Sequence, residues 1–169
     1  MPSFKTTRHV AHRSRDMFDL VADVEHYPEF VPLCQTLAVR KHSVDAHGRE
    51  VLLCDMLVGY KAIRERLVST ATLDREKNKI LVRYVEGPFS HLENVWSFIP
   101  EGADENAPNC RVEFFIDYTF SSRVLAALMG AMFDAAFRKF SDAFVARADL
   151  VYGKHGSGGI MPPAAPRQA

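Results

Sequence analysis

This chain has no surplus of either positive or negative charge. Its 21 Lys and Arg residues are balanced by 21 Asp and Glu, so the formal net charge is zero. A nucleic-acid module usually carries a basic surplus, which leaves only a local patch to serve that purpose here. Cysteine is scarce and odd in number: Cys34, Cys54 and Cys110 are widely spaced and form no CxxC pair. That excludes a disulfide framework or a zinc ribbon and leaves three reduced thiols. No apolar run approaches the ~20 residues needed to cross a bilayer. Met1 to Ser14 has no apolar h-region, so a secretory leader is not expected and the expected location is the cytoplasm. Glycine-rich phosphate loops are absent as well.

Nor is there a constellation for catalysis or metal binding. His9 and His12 would point to opposite faces of a strand, and no carboxylate near them stands at metal-site spacing. Ser90-His91 lacks the setting of a nucleophile elbow. A cyclase-type enzyme would have to draw its acid and base from Tyr84, Glu86, Asn94 or Tyr118, whose spacing does not demand it.

What the chain does have is one domain's worth of alternating apolar sequence, Ser3 to Gly153, followed by a Gly-, Pro- and Ala-rich tail over 154–169 that reads as disordered. Ser3 to Ala11 is a first strand. Ser14 is a candidate N-cap for a short helix, and a second short helix runs from Val24 to Val31, broken by Pro28 and stopped by Pro32. Strands follow over Leu33–Ser43, Arg49–Tyr60, Ala62–Leu73, Ile80–Glu86, Leu92–Pro100 and Cys110–Ser121. In the last two, Leu92, Asn94, Trp96 and Phe98 share one face, as do Val112, Phe114, Ile116, Tyr118 and Phe120. Without βαβ alternation the class is α+β with an antiparallel sheet.

The chain then closes on a long amphipathic segment, Ser121 to Tyr152, capped by Ser121 or Ser122. At 3.6 residues per turn, Leu125, Leu128, Met129, Met132, Phe133, Ala136, Phe137, Phe140 and Phe144 fall on one side. Asp134, Arg138, Ser141, Asp142 and Asp149 fall on the other. The apolar face is wide and rich in Phe and Met, which fill irregular space or line adaptable pockets. Gly130 interrupts it, as a bend or a point of close approach. Arg147 lies near the middle of this face, where it either reaches past the sheet edge into water, pairs with Asp16 or Asp23, or meets a ligand headgroup.

Three motifs in this order resemble a known family: Tyr27-Pro-Glu-Phe-Val-Pro-Leu-Cys34, Gly87-Pro-Phe-Ser-His-Leu-Glu-Asn-Val-Trp-Ser-Phe98 and Phe144-Val-Ala-Arg-Ala-Asp-Leu-Val-Tyr-Gly153. The chain is similar to the coenzyme Q-binding proteins and the ribosome-association toxins, within the START-like, polyketide-cyclase superfamily. The resemblance spans nearly everything up to Gly153. One departure is Leu33, where the family often has an aromatic residue before the cysteine.

The resemblance implies a helix-grip fold, with a curved antiparallel sheet wrapped around the last helix and a greasy cavity between them. It also implies non-catalytic binding and delivery of an isoprenoid quinone, ubiquinone above all, in support of respiratory electron transfer or quinone synthesis. No other cofactor is required. The residues expected around the ligand are Tyr27, Phe30, Val31, Phe89, Leu92, Trp96, Phe98, Phe114, Tyr118, Leu128, Met129, Met132, Phe133 and Phe137. A buried Trp96 would need a partner for its indole N–H, and a quinone carbonyl is able to serve. The stretch Tyr27–Cys34, stiffened by its prolines, either plugs the underside of the sheet or exposes Tyr27, Phe30 and Val31 to gate the pocket or touch a membrane surface such as the inner membrane. The toxin branch implies a different partner, the ribosome, and a block on subunit joining; a polyketide cyclase-like enzyme is the third alternative. No feature of the sequence sets an oligomeric state.

Overall fold

The computed structural model describes residues 3–153, so the reading of 154–169 as a disordered tail lies outside the described residues. Seven strands form one antiparallel sheet: β1 (Ser3–Val10), β2 (Cys34–Val44), β3 (Glu50–Tyr60), β4 (Ile63–Asp74), β5 (Lys79–Glu86), β6 (Phe89–Pro100) and β7 (Cys110–Phe120). Their order across the sheet is β1-β7-β6-β5-β4-β3-β2. The first strand therefore pairs with the last, with Phe4 opposite Ile116 and Arg8 opposite Val112. A helix α1 (Ser14–Ala22) and a 3-10 turn (Val24–Glu29) carry the chain from one edge of the sheet to the other. Along the way, α1 buries Met17, Phe18, Leu20 and Val21.

The sheet is curved for a local reason. Register breaks in β2, in β5 at Val85 opposite Val68 and Ser69, and in β6 between Phe89 and His91 are bulges, each adding twist and bend to its strand. The β5–β6 turn requires its glycine. Gly87 has φ +148°, and a Cβ there would stand 2.8 Å from the Arg66 carbonyl. Into the resulting hollow lies α2 (Arg123–Tyr152), whose Ser122 hydroxyl accepts from the Leu125 amide. It buries Met129, Phe133, Ala136, Phe137, Ser141, Phe144 and Ala148.

Several local expectations are corrected. Ser14 is the first helical residue and is buried, while Arg13 occupies the cap position. The second short helix is 3-10 and ends at Glu29; Pro28 sits inside it and offers no amide to continue an α ladder. β6 starts at Phe89, ahead of Leu92, because the bulge at Ser90 lets the pairing with β7 run back to the end of the Gly-Pro turn. On α2 the buried stripe is narrower than the wheel suggested. Leu128 faces out, and Ser141 faces in.

Candidate ligand cavity

Aromatic rings join the sheet to α2 in two groups. Near the start of the helix, Phe89 and Phe120 meet Phe133 and Tyr118 meets Phe137, with Phe89 and Phe120 stacked at 4.9 Å between centroids. Farther along, Phe144 meets Trp96 at 4.8 Å, Phe30 at 5.0 Å and Tyr27 at 5.3 Å. The sheet's rings in both groups stand on β6 and β7. On the other half of the sheet the inward side chains include Cys54 on β3 and Ser69 and Ala71 on β4, which are short. They leave a gap beneath Phe133, Ala136, Phe137, Phe140 and Phe144 of α2.

That gap is a cavity of about 110 Å³. Val21 and Val24 close one side, the loop Val31-Pro32-Leu33 another, and Met56, Val58, Ile80, Val82, Trp96 and Phe114 complete the wall. The size is comparable to the ~150 Å³ apolar hole that holds a benzene ring. An empty cavity of this volume costs ~3 kcal/mol at about 24 cal/mol per Å³, which an apolar occupant would recover. A ligand larger than one ring needs the helix or the loop to move, since drug-sized sites span roughly 300–1,000 Å³. Leu33, at the loop's end, has φ +69°, a left-handed conformation rare for a bulky residue, and its carbonyl accepts from Gly59 at 3.0 Å.

Of the side chains expected around a ligand, Tyr27, Val31, Trp96, Phe114, Phe133 and Phe137 come together on this cavity. Phe30 packs on Phe144 in the adjoining loop. Phe98 lies against Phe18 and Trp96 in the core behind the wall. Leu92 and Met129 are buried in the core, and Met132 is half-buried against it. Phe89 and Tyr118 belong to the aromatic group at the start of α2, and Leu128 is exposed to solvent. The cavity floor on β2 to β5 was missed. Its available signal was the period-two run Cys54-Met56-Val58 beside the small residues Ser69 and Ala71.

The chemistry inside is quiet. Burial pushes the thiols of Cys34 and Cys54 up to about 11, so both stay protonated, and each donates weakly to a nearby backbone carbonyl. Burial also raises the Tyr27 phenol well above its ordinary value; its hydroxyl donates to the Val21 carbonyl. Asn94 lines the wall and donates from Nδ2 to the Phe115 carbonyl at 2.8 Å. The four acid–base candidates do not converge on the cavity. Tyr84 donates to the Gly87 carbonyl, Glu86 is exposed, Tyr118 lies among aromatic rings, and only Asn94 reaches the wall.

Arg147 is held by neither Asp16 nor Asp23. Its Nη2 meets Glu29 Oε1 at 2.8 Å and its guanidinium lies 5.0 Å over the Phe30 ring, tying α2 to the Pro28–Pro32 loop. Asp23 pairs with His26 at 2.8 Å. Histidines serve as ties elsewhere: His12 to Asp149 at 2.7 Å and His91 to Asp117 at 3.1 Å. Among the described residues no group of three or more His, Cys, Asp or Glu could hold a metal ion, and no helix is long and apolar enough to cross a membrane.

Known proteins share this build. Residues 10–145 match the family described as polyketide cyclase / dehydrase and lipid transport. A ribosome association toxin RatA of Rickettsia prowazekii is 30% identical over 155 residues, covering 89% of this chain and 99% of that one. The mitochondrial coenzyme Q-binding protein COQ10 homolog B of Xenopus laevis is 30% identical over 139 residues, covering 82% of this chain and 54% of that one. A START superfamily protein from Mycobacterium smegmatis superposes with a TM-score of 0.70 at 16% identity, over 88% of this chain and 97% of that one, which speaks for the fold alone. With its match over residues 10–145 and its curved sheet closed on a long final helix, the chain belongs to the polyketide cyclase / dehydrase and lipid transport family and has the START-like fold.

Proposed function

We propose that the protein binds and delivers a hydrophobic isoprenoid quinone, ubiquinone in the first instance, without making or breaking a bond in it. The observation that carries this reading is the apolar cavity between α2 and the β2–β5 half of the sheet, with Trp96, Phe114 and Phe137 placed to enclose a ring. The relative named as a coenzyme Q-binding protein supports the choice of quinone. A prenyl tail exceeds a cavity of about 110 Å³, so most of it extends beyond the cavity. The walls offer protonated thiols and a spent phenol in place of a poised acid and base, which supports carriage over catalysis.

Contact with a membrane surface belongs to the same reading. Val124 and Leu128, 67% and 62% exposed, stand on the first turns of α2 beside Arg123. A cation at a helix N-terminus opposes the helix dipole, and no acidic residue in that turn offsets it. An external anion such as a lipid phosphate would.

The test is mass spectrometry of the organic extract of protein purified from its natural host. Ubiquinone at about one per chain is expected; an extract that stays empty after incubation with added quinone removes the reading.

A second reading is favoured by the ribosome association toxin, whose length is matched almost end to end. It would have the protein block subunit joining. Against it, Arg8, Arg40 and Arg66 are each held by a carboxylate, of Asp142, Asp55 and Asp55 in turn, which leaves them less free for phosphates. Subunit association measured at low salt with and without the protein decides it, and no shift would eliminate it.

A further inference from the structure

Two deeply buried polar side chains interrupt the cavity's wall of hydrocarbon, aromatic ring and thiol. Ser69 on β4 is 6% exposed and Asn94 on β6 is 8% exposed. Within the fold the amide at position 94 has one side-chain hydrogen bond, to a backbone carbonyl. Its cross-strand neighbours are Val82 and Ile116, and an apolar residue would suit the same pleat.

Chemistry fixes which way the amide points. Its 2.8 Å partner is the Phe115 carbonyl, and only the nitrogen of an amide can donate to a carbonyl. Oδ1 is therefore turned away from Phe115. It takes no hydrogen bond from the described residues, and it is not sealed among them as an enclosed orphan would be. The space beside this buried side chain is the cavity. A bare acceptor in an apolar wall is costly until a donor meets it.

A quinone ring offers only acceptors, whereas the reduced ring offers hydroxyl groups. The second hydrogen on Nδ2 does not separate the two forms, because a carbonyl and a hydroxyl both accept it. The Ser69 hydroxyl both donates and accepts, and so suits either.

We propose that Asn94 reads the polar end of the ligand and that its Oδ1 selects a ring hydroxyl, as in a hydroquinone or another phenol, over the corresponding quinone. This rests on the quinone reading above and assigns the redox form that the carrier prefers.

The experiment is an anaerobic calorimetric titration with a short-tailed ubiquinol and the matching ubiquinone. The native protein is expected to bind the quinol about tenfold more tightly, the discrimination that one buried hydrogen bond supplies. Asn94→Leu, which keeps the branched shape without a polar atom, is expected to bring the ratio near one, while Ser69→Ala keeps the preference. Equal affinities in the native protein overturn the inference whether or not the variant folds, as does a preference that survives Asn94→Leu. Binding of neither form removes the quinone reading and this inference with it, so the two failures are distinguishable.

Discussion

The Trp96 indole and the Phe144 ring meet at 4.8 Å and 66°, sheet against final helix, and Phe144 is also the ring on which Tyr27 and Phe30 close from the loop side. One side chain thus joins sheet, helix and loop at the rim of the cavity. Phe144→Ala is expected to cost about 3–5 kcal/mol, as for other fully buried aromatics, since the hole it leaves merges with the cavity. Urea unfolding checks this. A loss below about 1 kcal/mol would mean that the three elements do not depend on it.

Much of this geometry was legible beforehand. The alternation Val112-Phe114-Ile116-Tyr118-Phe120 and the Phe spacing on α2 are local signals, and both put the same rings inside. Sheet order is not local. Which strands lie directly under α2, and which face it across a gap, follows from β1 pairing with β7 at the far edge from β2. The short side chains of β3 and β4 therefore became cavity floor without announcing it. Leu128 was misplaced because a regular wheel assumes an apolar arc of constant width, whereas the curved sheet covers a narrower stripe at the start of α2. Arg147 found Glu29 because the Pro28–Pro32 loop folds over α2, a contact between residues far apart in sequence.

Thiol chemistry separates cavity from core. Burial holds Cys34 and Cys54 at about 11 and Cys110 at about 12, so roughly a thousandth or less of each is thiolate at pH 8. Alkylation of the folded protein is expected to be slow at all three. An occupant of the cavity should slow Cys34 and Cys54 further and leave Cys110, which is not on the wall, unchanged. Peptide mass spectrometry reads the ratio. Equal protection of Cys110 would point to global stiffening and away from occupancy.

His26 gives the fold a small pH dependence. Its hydrogen bond to Asp23, then the charges of Asp23 and Glu29, raise it above 6.5. A raised value means that the charged form is favoured in the folded state. Its contribution is complete below 6.5 and is lost as pH rises through the higher folded value. Asp23 is exposed and His26 half-exposed, so the effect is slight. His26→Gln should flatten the fall in urea midpoint between pH 6 and pH 8, and an identical slope would assign that fall to other groups.

Membrane contact is tested at the start of α2. Leu128→Asp replaces an exposed side chain and should change stability by less than about 0.5 kcal/mol. Co-sedimentation with anionic vesicles is expected to drop several-fold. Unchanged sedimentation would take this face of the helix out of the proposal.

Ala71 on β4 is buried on the floor of the cavity, opposite the α2 rings, and a larger side chain there has only the cavity to enter. The most direct measurement is calorimetric titration of a short-tailed ubiquinone into native protein and into Ala71→Phe, with urea unfolding of both. Stoichiometric binding by the native protein is expected, with binding lost in a variant that still unfolds cooperatively. Full affinity in the folded variant would contradict the claim that the space between sheet and final helix is where the ligand lies.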